Sequence, residues 1–268
     1  MAWAVLLSAL ALGGACWRQG SAEAILHRRD TFVLHESTQL MVVVTPEWDA
    51  QTGILQRYER SRPDQRWVAV GHPIGVVVGH TGMGWGAATA NADPGTAKSP
   101  KDPVKKEGDL RSPAGIFSIG TSFGYAEEEP AGWRMPYLRL TPSVECVDDP
   151  QSAYYNQVVD RSTVTPDWKS SEKMLRPDGL YQWGLVIAQN IHPVRPGKGS
   201  CVFLHVWPGP GEATVGCTAT AVEQMQIILG WLDPARAPML VQLPAAQYTA
   251  LEKSWELPPL PKAANGGT

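Results

Sequence analysis

Residues Cys201–Thr220 read CVFLHVWPGPGEATVGCTAT, and several local signals meet there. Cys201 to Trp207 is rich in β-branched and aromatic residues, so as a strand it puts Phe203, His205 and Trp207 on one face. Pro208 to Gly211 then turns the chain ahead of Thr214, Gly216 and Cys217. A helix is predicted over Thr220 to Leu232: Thr220 and Glu223 have capping-box spacing, and Ala221, Met225, Ile228 and Leu232 share a face. A cysteine just before such a helix has the setting of a nucleophile, because N–H groups at a helix start lower a thiol's pKa and a nearby imidazole can take its proton. Gly216 lets the backbone approach a substrate closely, and the N–H of Cys217 can face a developing oxyanion. Singly, a strand histidine and a cysteine beside glycine are ordinary structural residues. Jointly they point to acyl transfer.

Outward from this stretch the pattern is of short strands. Thr38 to Thr45 and Gly53 to Arg60 read as strands around a turn. Further β-rich runs are Trp67 to Val70, Ile74 to Val78, Ile116 to Thr121, Tyr137 to Leu140 and Gly184 to Ala188, each bounded by Gly, Pro or Asn. Met239 to Leu243 closes the set, followed by a short helix over Ala245 to Lys253 and a Pro-rich tail expected to be mobile. Ala87 to Lys106 and Tyr125 to Trp133 read as surface loops.

Composition narrows the class. The 268 residues are 43% hydrophobic, enough for a sizeable core and against a disordered chain. Gly 26 and Pro 23 favour many turns over a helical bundle. A net charge of −3 offers no basic excess for nucleic acid.

Ala2 to Leu12 is an apolar run too short to span a bilayer but of signal-peptide length. Residues 1–24 are therefore expected to be a signal peptide, cut after Ala22-Glu23-Ala24, leaving 25–268 as one domain with no integral membrane segment. No Lys or Arg precedes the run, which leaves a buried N-terminal element as an alternative; lipid attachment at Cys16 is another. Export removes or lipidates Cys16 and leaves Cys146, Cys201 and Cys217. Two of the three can pair in an oxidising compartment, with Cys146 and Cys201 favoured, which singles out Cys217 as the free thiol.

Leu204-His205 and Thr214-Val215-Gly216-Cys217-Thr218, together with Gly108-Asp109-Leu110-Arg111-Ser112-Pro113-Ala114-Gly115-Ile116-Phe117 upstream, resemble the L,D-transpeptidase (YkuD-type) catalytic domain of bacterial cell-wall enzymes. The resemblance covers about 38–243, with an insertion at about 141–198. It implies a mainly β, sandwich-like fold with one or two short helices after the nucleophile. It makes Cys217 the nucleophile and His205 the general base, with the Val206 carbonyl orienting the imidazole and Gly216 shaping the turn. Arg111, Thr214, Thr218 and Trp207 are the expected substrate contacts; Lys106 is a second candidate for a substrate carboxylate. The implied substrates are peptidoglycan stem peptides, in the periplasm or at the cell wall. A thioester on Cys217 would be resolved by an amine, or by water in an L,D-carboxypeptidase or other hydrolase on the same stems. No cofactor or metal is implied. The sequence departs from the family pattern at Val215, in place of a second His, and at Ala219, in place of Arg or Asn; only eleven residues separate His205 from Cys217.

Other readings compete. Cys201, His205, Cys217 and His192 could form a zinc site, although a strand spaces Cys201 and His205 roughly 13 Å apart. A non-catalytic wall-binding module is a third class. Gly79 to Gly86 reads as a turn rather than a phosphate loop, with His80 on the surface. Asp148-Asp149-Pro150 is also a turn. Tyr154, Asn156 and Asp160 lie in the insertion, near enough in sequence to line a cleft. Trp85, Trp183 and Trp207 suit core packing or stacking on sugars.

Overall fold

The computed structural model describes residues 34–87 and 94–261. The expected signal peptide, its cleavage site and Cys16 lie outside the described residues. The chain is mainly β. Its strands are β1 (Gln39–Thr45), β2 (Thr52–Glu59), β3 (Val68–Val77), β4 (Met83–Trp85), β5 (Ser112–Gly124), β6 (Tyr137–Arg139), β7 (Val144–Val147), β8 (Val158–Asp160), β9 (Ser171–Lys173), β10 (Trp183–Ile187), β11 (Phe203–Val206), β12 (Thr218–Thr220) and β13 (Met239–Pro244). Among the described residues two α-helices, α1 (Val222–Trp231) and α2 (Ala245–Leu251), both follow Cys217.

The main sheet runs β10, β11, β12, β3, β2, β1, β13, β5, and β5 pairs again with β10, so the sheet closes on itself like a barrel. Closure removes the sheet edges along this ring. β1 shows why the sequence builds it. All of QLMVVVT is buried, the continuous apolar signature of a strand covered on both faces. α2 packs on β1 and β13, and α1 on β10 and β11.

The two runs expected at 67–70 and 74–78 are one strand, β3. Gly71, at φ +67°, carries it through, and the β2–β3 register shifts between Leu55 and Arg57. Such a bulge absorbs the extra residues without ending the strand. The capping box does not form. Ala221 caps α1, while the Thr220 hydroxyl donates to Gly75 O at 2.8 Å. The tail expected to be mobile is packed as far as 261: Trp255 and Leu257 are buried, and Tyr248 Oη and Tyr58 Oη donate to Pro258 O and Pro259 O. Its apolar side chains cover helix and sheet, and residues 262–268 lie outside the described residues.

Within the expected insertion, β10 belongs to the barrel, while β7, β8 and β9 form a separate sheet ordered β8-β7-β9. Its centre holds Glu145, a buried carboxylate that accepts hydrogen bonds from Lys173, Ser171 and Trp168 Nε1. Burial opposes ionisation of Glu145, but these donors outweigh it and bring the carboxyl down to about 2. No helix among the described residues is long and apolar enough to cross a membrane.

Candidate active site

Cys217 ends the turn that leads into β12, which runs parallel to β11 with Leu204 opposite Thr218 and His205 opposite Ala219. One step back, Cys217 lies opposite Phe203, whose N–H donates to Sγ at 3.4 Å. Opposed residues share a face, so Cys217 and His205 lie diagonally on the same side of the sheet. The thiol in turn donates to Cys201 O at 3.6 Å.

The His205 ring is held by backbone carbonyls: Nδ1 lies 2.7 Å from Val206 O, and the Leu180 carbonyl also bonds the ring. A carbonyl oxygen only accepts, so Nδ1 carries the proton and the lone pair resides on Nε2. The Tyr181 ring meets the imidazole edge to face at 5.1 Å. Burial drives the His205 pKa down to about 4, overriding the stabilising bonds to the Val206 and Leu180 carbonyls, so the ring is neutral at physiological pH.

The turn itself is held by the upstream motif. Ser112 Oγ donates to Cys217 O at 2.7 Å and accepts from Gly79 N at 2.8 Å. Thr214 Oγ1 donates to the same carbonyl at 2.5 Å and accepts from Gly216 N at 3.1 Å. Gly79 has to be glycine, because a Cβ there would sit 2.2 Å from Leu110 O. Gly216, at φ +145°, occupies backbone space that L-residues avoid, and its position for a Cβ lies 3.2 Å from Arg111 O. Two motifs about a hundred residues apart thus meet at one cysteine.

Activation by a helix start is absent. β12 intervenes between Cys217 and α1, and burial pushes the thiol up to about 12, with the Glu172 carboxylate adding to the rise. The reason is the apolar packing that includes the segment carrying β7 and β9. Leu140, Val144, Cys146 and Met174 pack with Phe123, Tyr181, Phe203 and Cys217 in one apolar cluster, and Cys217 is 5% exposed. The Cys146–Cys201 disulfide forms as expected and ties this cover to the chain entering β11. Tyr181 Oη donates to Glu172 of β9, whose carboxyl is raised by burial and also pairs with Arg176 at 3.3 Å.

The expected substrate contacts divide. Thr218 does not reach the site: it is fully buried and its hydroxyl donates to Gln242 Oε1 at 2.6 Å, since neighbours along a strand point to opposite faces. The Thr214 hydroxyl donates to Cys217 O and is therefore engaged within the turn. Arg111 is held by Met83 O and Asp49 Oδ1, each at 2.8 Å, and shapes the turn from behind. Trp207 is half-buried just beyond β11, with its ring beside Gly75. Asp149 caps its turn through Gln151 N and Lys169 N, as the turn reading anticipates. Trp85 is core, and Trp183 packs on Trp133 at 4.8 Å. Asn156 accepts from Cys201 N, Asp160 caps the turn at Ser162, and Tyr154 stacks on Trp168. The zinc reading loses Cys201 to the disulfide, and no metal-ligand cluster occurs among the described residues.

Sequence reasoning missed Ser112, Tyr181, Glu172 and Lys105. Ser112 stood within the quoted upstream motif. Tyr181 and Glu172 lie in the insertion, where no pattern marks them. Lys105 is 5% exposed, although its polar stretch reads as a solvated loop.

The pH dependence of the site follows from the imidazole. Its pKa is depressed from the usual 6.5 to about 4, so the base is present above about 4 and is lost only below it. The rate of Cys217 acylation is therefore expected to stay level from about pH 5 to 8 and to fall below about 4. Stopped-flow or mass-spectrometric acylation rates check this; an acid limb centred near 6.5 contradicts the buried neutral base.

The chain matches no protein-family model, no curated protein and no solved structure.

Proposed function

We propose that this protein is an exported cysteine acyltransferase of L,D-transpeptidase type that acts on peptidoglycan stem peptides. The observation that carries the reading is the 2.7 Å contact from His205 Nδ1 to Val206 O, which leaves Nε2 basic on the face that also presents Cys217. The carbonyl takes the place a carboxylate has in a triad. Support comes also from the meeting of the two motifs at Cys217 O and from the barrel-like sheet with its helices after the nucleophile. The Cys146–Cys201 disulfide suits an oxidising, extracytoplasmic compartment.

In this mechanism Sγ attacks the acyl carbonyl of the stem while Nε2 of His205 takes the thiol proton. The tetrahedral intermediate collapses as its C–N bond breaks, and the same proton passes from Nε2 to the leaving amine. The thioester is then attacked by an acceptor amine whose proton Nε2 receives; the C–S bond breaks as the new amide forms, and Nε2 returns the proton to Sγ. With a thiol pKa of about 12, the thiolate forms during attack rather than beforehand. The cover formed by β7, β8 and β9 has to shift for a stem to reach Sγ.

The test is incubation with purified muropeptides and separation of products by mass. Cross-linked dimers, exchange of the terminal D-amino acid, or trimmed stems identify an amine or water as acceptor. Substrate left unchanged by the wild-type protein overturns the reading.

A further inference from the structure

Resting on the acyl-transfer reading, we propose that Lys105 is the site's specificity residue, its ammonium group receiving the free carboxylate of the amino acid that leaves as Cys217 is acylated. Lys105 N donates to Trp85 O at 2.9 Å, which sets its backbone beside β4. Its stem then runs inward past glycines. A Cβ on Gly199 would lie 2.9 Å from Lys105 Cε, and Gly199 has φ +92°, so both space and backbone conformation reserve that position for glycine. A Cβ on Gly84 would lie 3.1 Å from Lys105 N. The Nζ ends 3.7 Å from where Gly216 would carry a Cβ, next door to the nucleophile.

An ammonium group has three donors. Here Nζ donates to Asp109 Oδ1 at 2.5 Å and to Lys106 O at 2.8 Å, which leaves one. Asp109 does not answer to Lys105 alone, because its carboxylate also accepts from Arg111 N at 3.0 Å and Lys106 N at 2.6 Å. The ion pair therefore orients the ammonium more than it consumes it. Arg111, the cation that the motif offers for a substrate carboxylate, is occupied by Met83 and Asp49. Lys105 is the buried cation that abuts the nucleophile turn. A C-terminal carboxylate sits one residue from the scissile carbonyl, so a carbonyl held at Cys217 brings its leaving-group carboxylate into this region. Lys105 forms no covalent bond; it selects chain ends over internal peptide bonds.

The experiment compares single-turnover thioester formation on the wild-type protein with a tetrapeptide stem ending in a free carboxylate and with the same stem ending in a carboxamide. A charge-assisted hydrogen bond predicts faster acylation by the acid, by about 10- to 100-fold. Lys105→Met should bring the acid and amide rates together whatever their absolute values, and Lys105→Arg, which keeps the charge, should keep them apart. Equal rates for acid and amide on the wild-type protein overturn the proposal, and so does a Lys105→Met protein that slows both stems alike, the outcome of a merely structural lysine. Absence of thioester from both stems on folded wild-type protein instead refutes the acyl-transfer reading on which the proposal stands.

Discussion

Wild-type protein incubated with a thiol-reactive carbapenem is expected to gain the mass of one inhibitor molecule on Cys217, and Cys217→Ala to gain none. The thiol is the only free one among the described residues, since Cys146 and Cys201 are paired, so a single adduct locates itself. His205→Gln should slow the same acylation by about 10²-fold or more. This substitution is chosen because glutamine can still donate to Val206 O and fill much of the ring's space, yet it has no basic nitrogen. A loss of rate with an unchanged thermal midpoint therefore reports the missing base and not a collapsed strand. Intact mass spectrometry over time reads both variants, and an adduct that survives Cys217→Ala would place the nucleophile elsewhere.

The site combines a neutral, oriented imidazole with a thiol that is protonated at rest. Glu172 and the aromatic cluster hold the thiol in its neutral form, whereas Lys105 favours the thiolate. The proposed mechanism requires this cover to move, and admitting water or a polar stem would reduce the burial that dominates the balance. Under the proposed mechanism the reactivity of Cys217 is thereby coupled to the position of the β7–β9 sheet packed against it.

How much of this could be read from the sequence depends on the range of each signal. The buried run of β1, the position of His205 on β11 and the paired cysteines are carried by local composition or simple parity. So is the pairing of a glycine with the nucleophile, since Gly216 does sit at a backbone angle suited to glycine. β12 was illegible: three residues, Thr218–Thr220, are too few for a period-two pattern, and Thr220 and Glu223 imitate a cap. That one missed strand changed the expected thiol chemistry, replacing a helix start by apolar burial. Thr218 was misplaced for the same reason, because only the strand register reveals that it faces Gln242. Lys105 and Ser112 act through contacts with residues more than 80 positions away, which no local window contains.

The other large effect concerns the disulfide. Replacing both cysteines, Cys146→Ala with Cys201→Ala, should cost roughly 4 kcal/mol by the loss of a cross-link spanning 55 residues, taken as chain entropy in the unfolded state. For a chain of this size that corresponds to a fall of roughly 8–16 °C in thermal midpoint. The consequence for the site is as large. Cys201 lies at φ +54°, a conformation unusual for a residue with a side chain, and is held there by the bridge and by Asn156 Oδ1, which accepts from its N–H at 2.9 Å. Its carbonyl accepts from the Cys217 thiol. Once the bridge is gone, the cover sheet loses its covalent tie to the strand bearing His205, so alkylation of Cys217 by iodoacetamide should accelerate even below the melting range. Calorimetry and timed alkylation read the two effects separately. A midpoint shift of under about 2 °C would show that the bridge does not constrain the fold, and unchanged alkylation alongside a lowered midpoint would show that the cover stays seated without it.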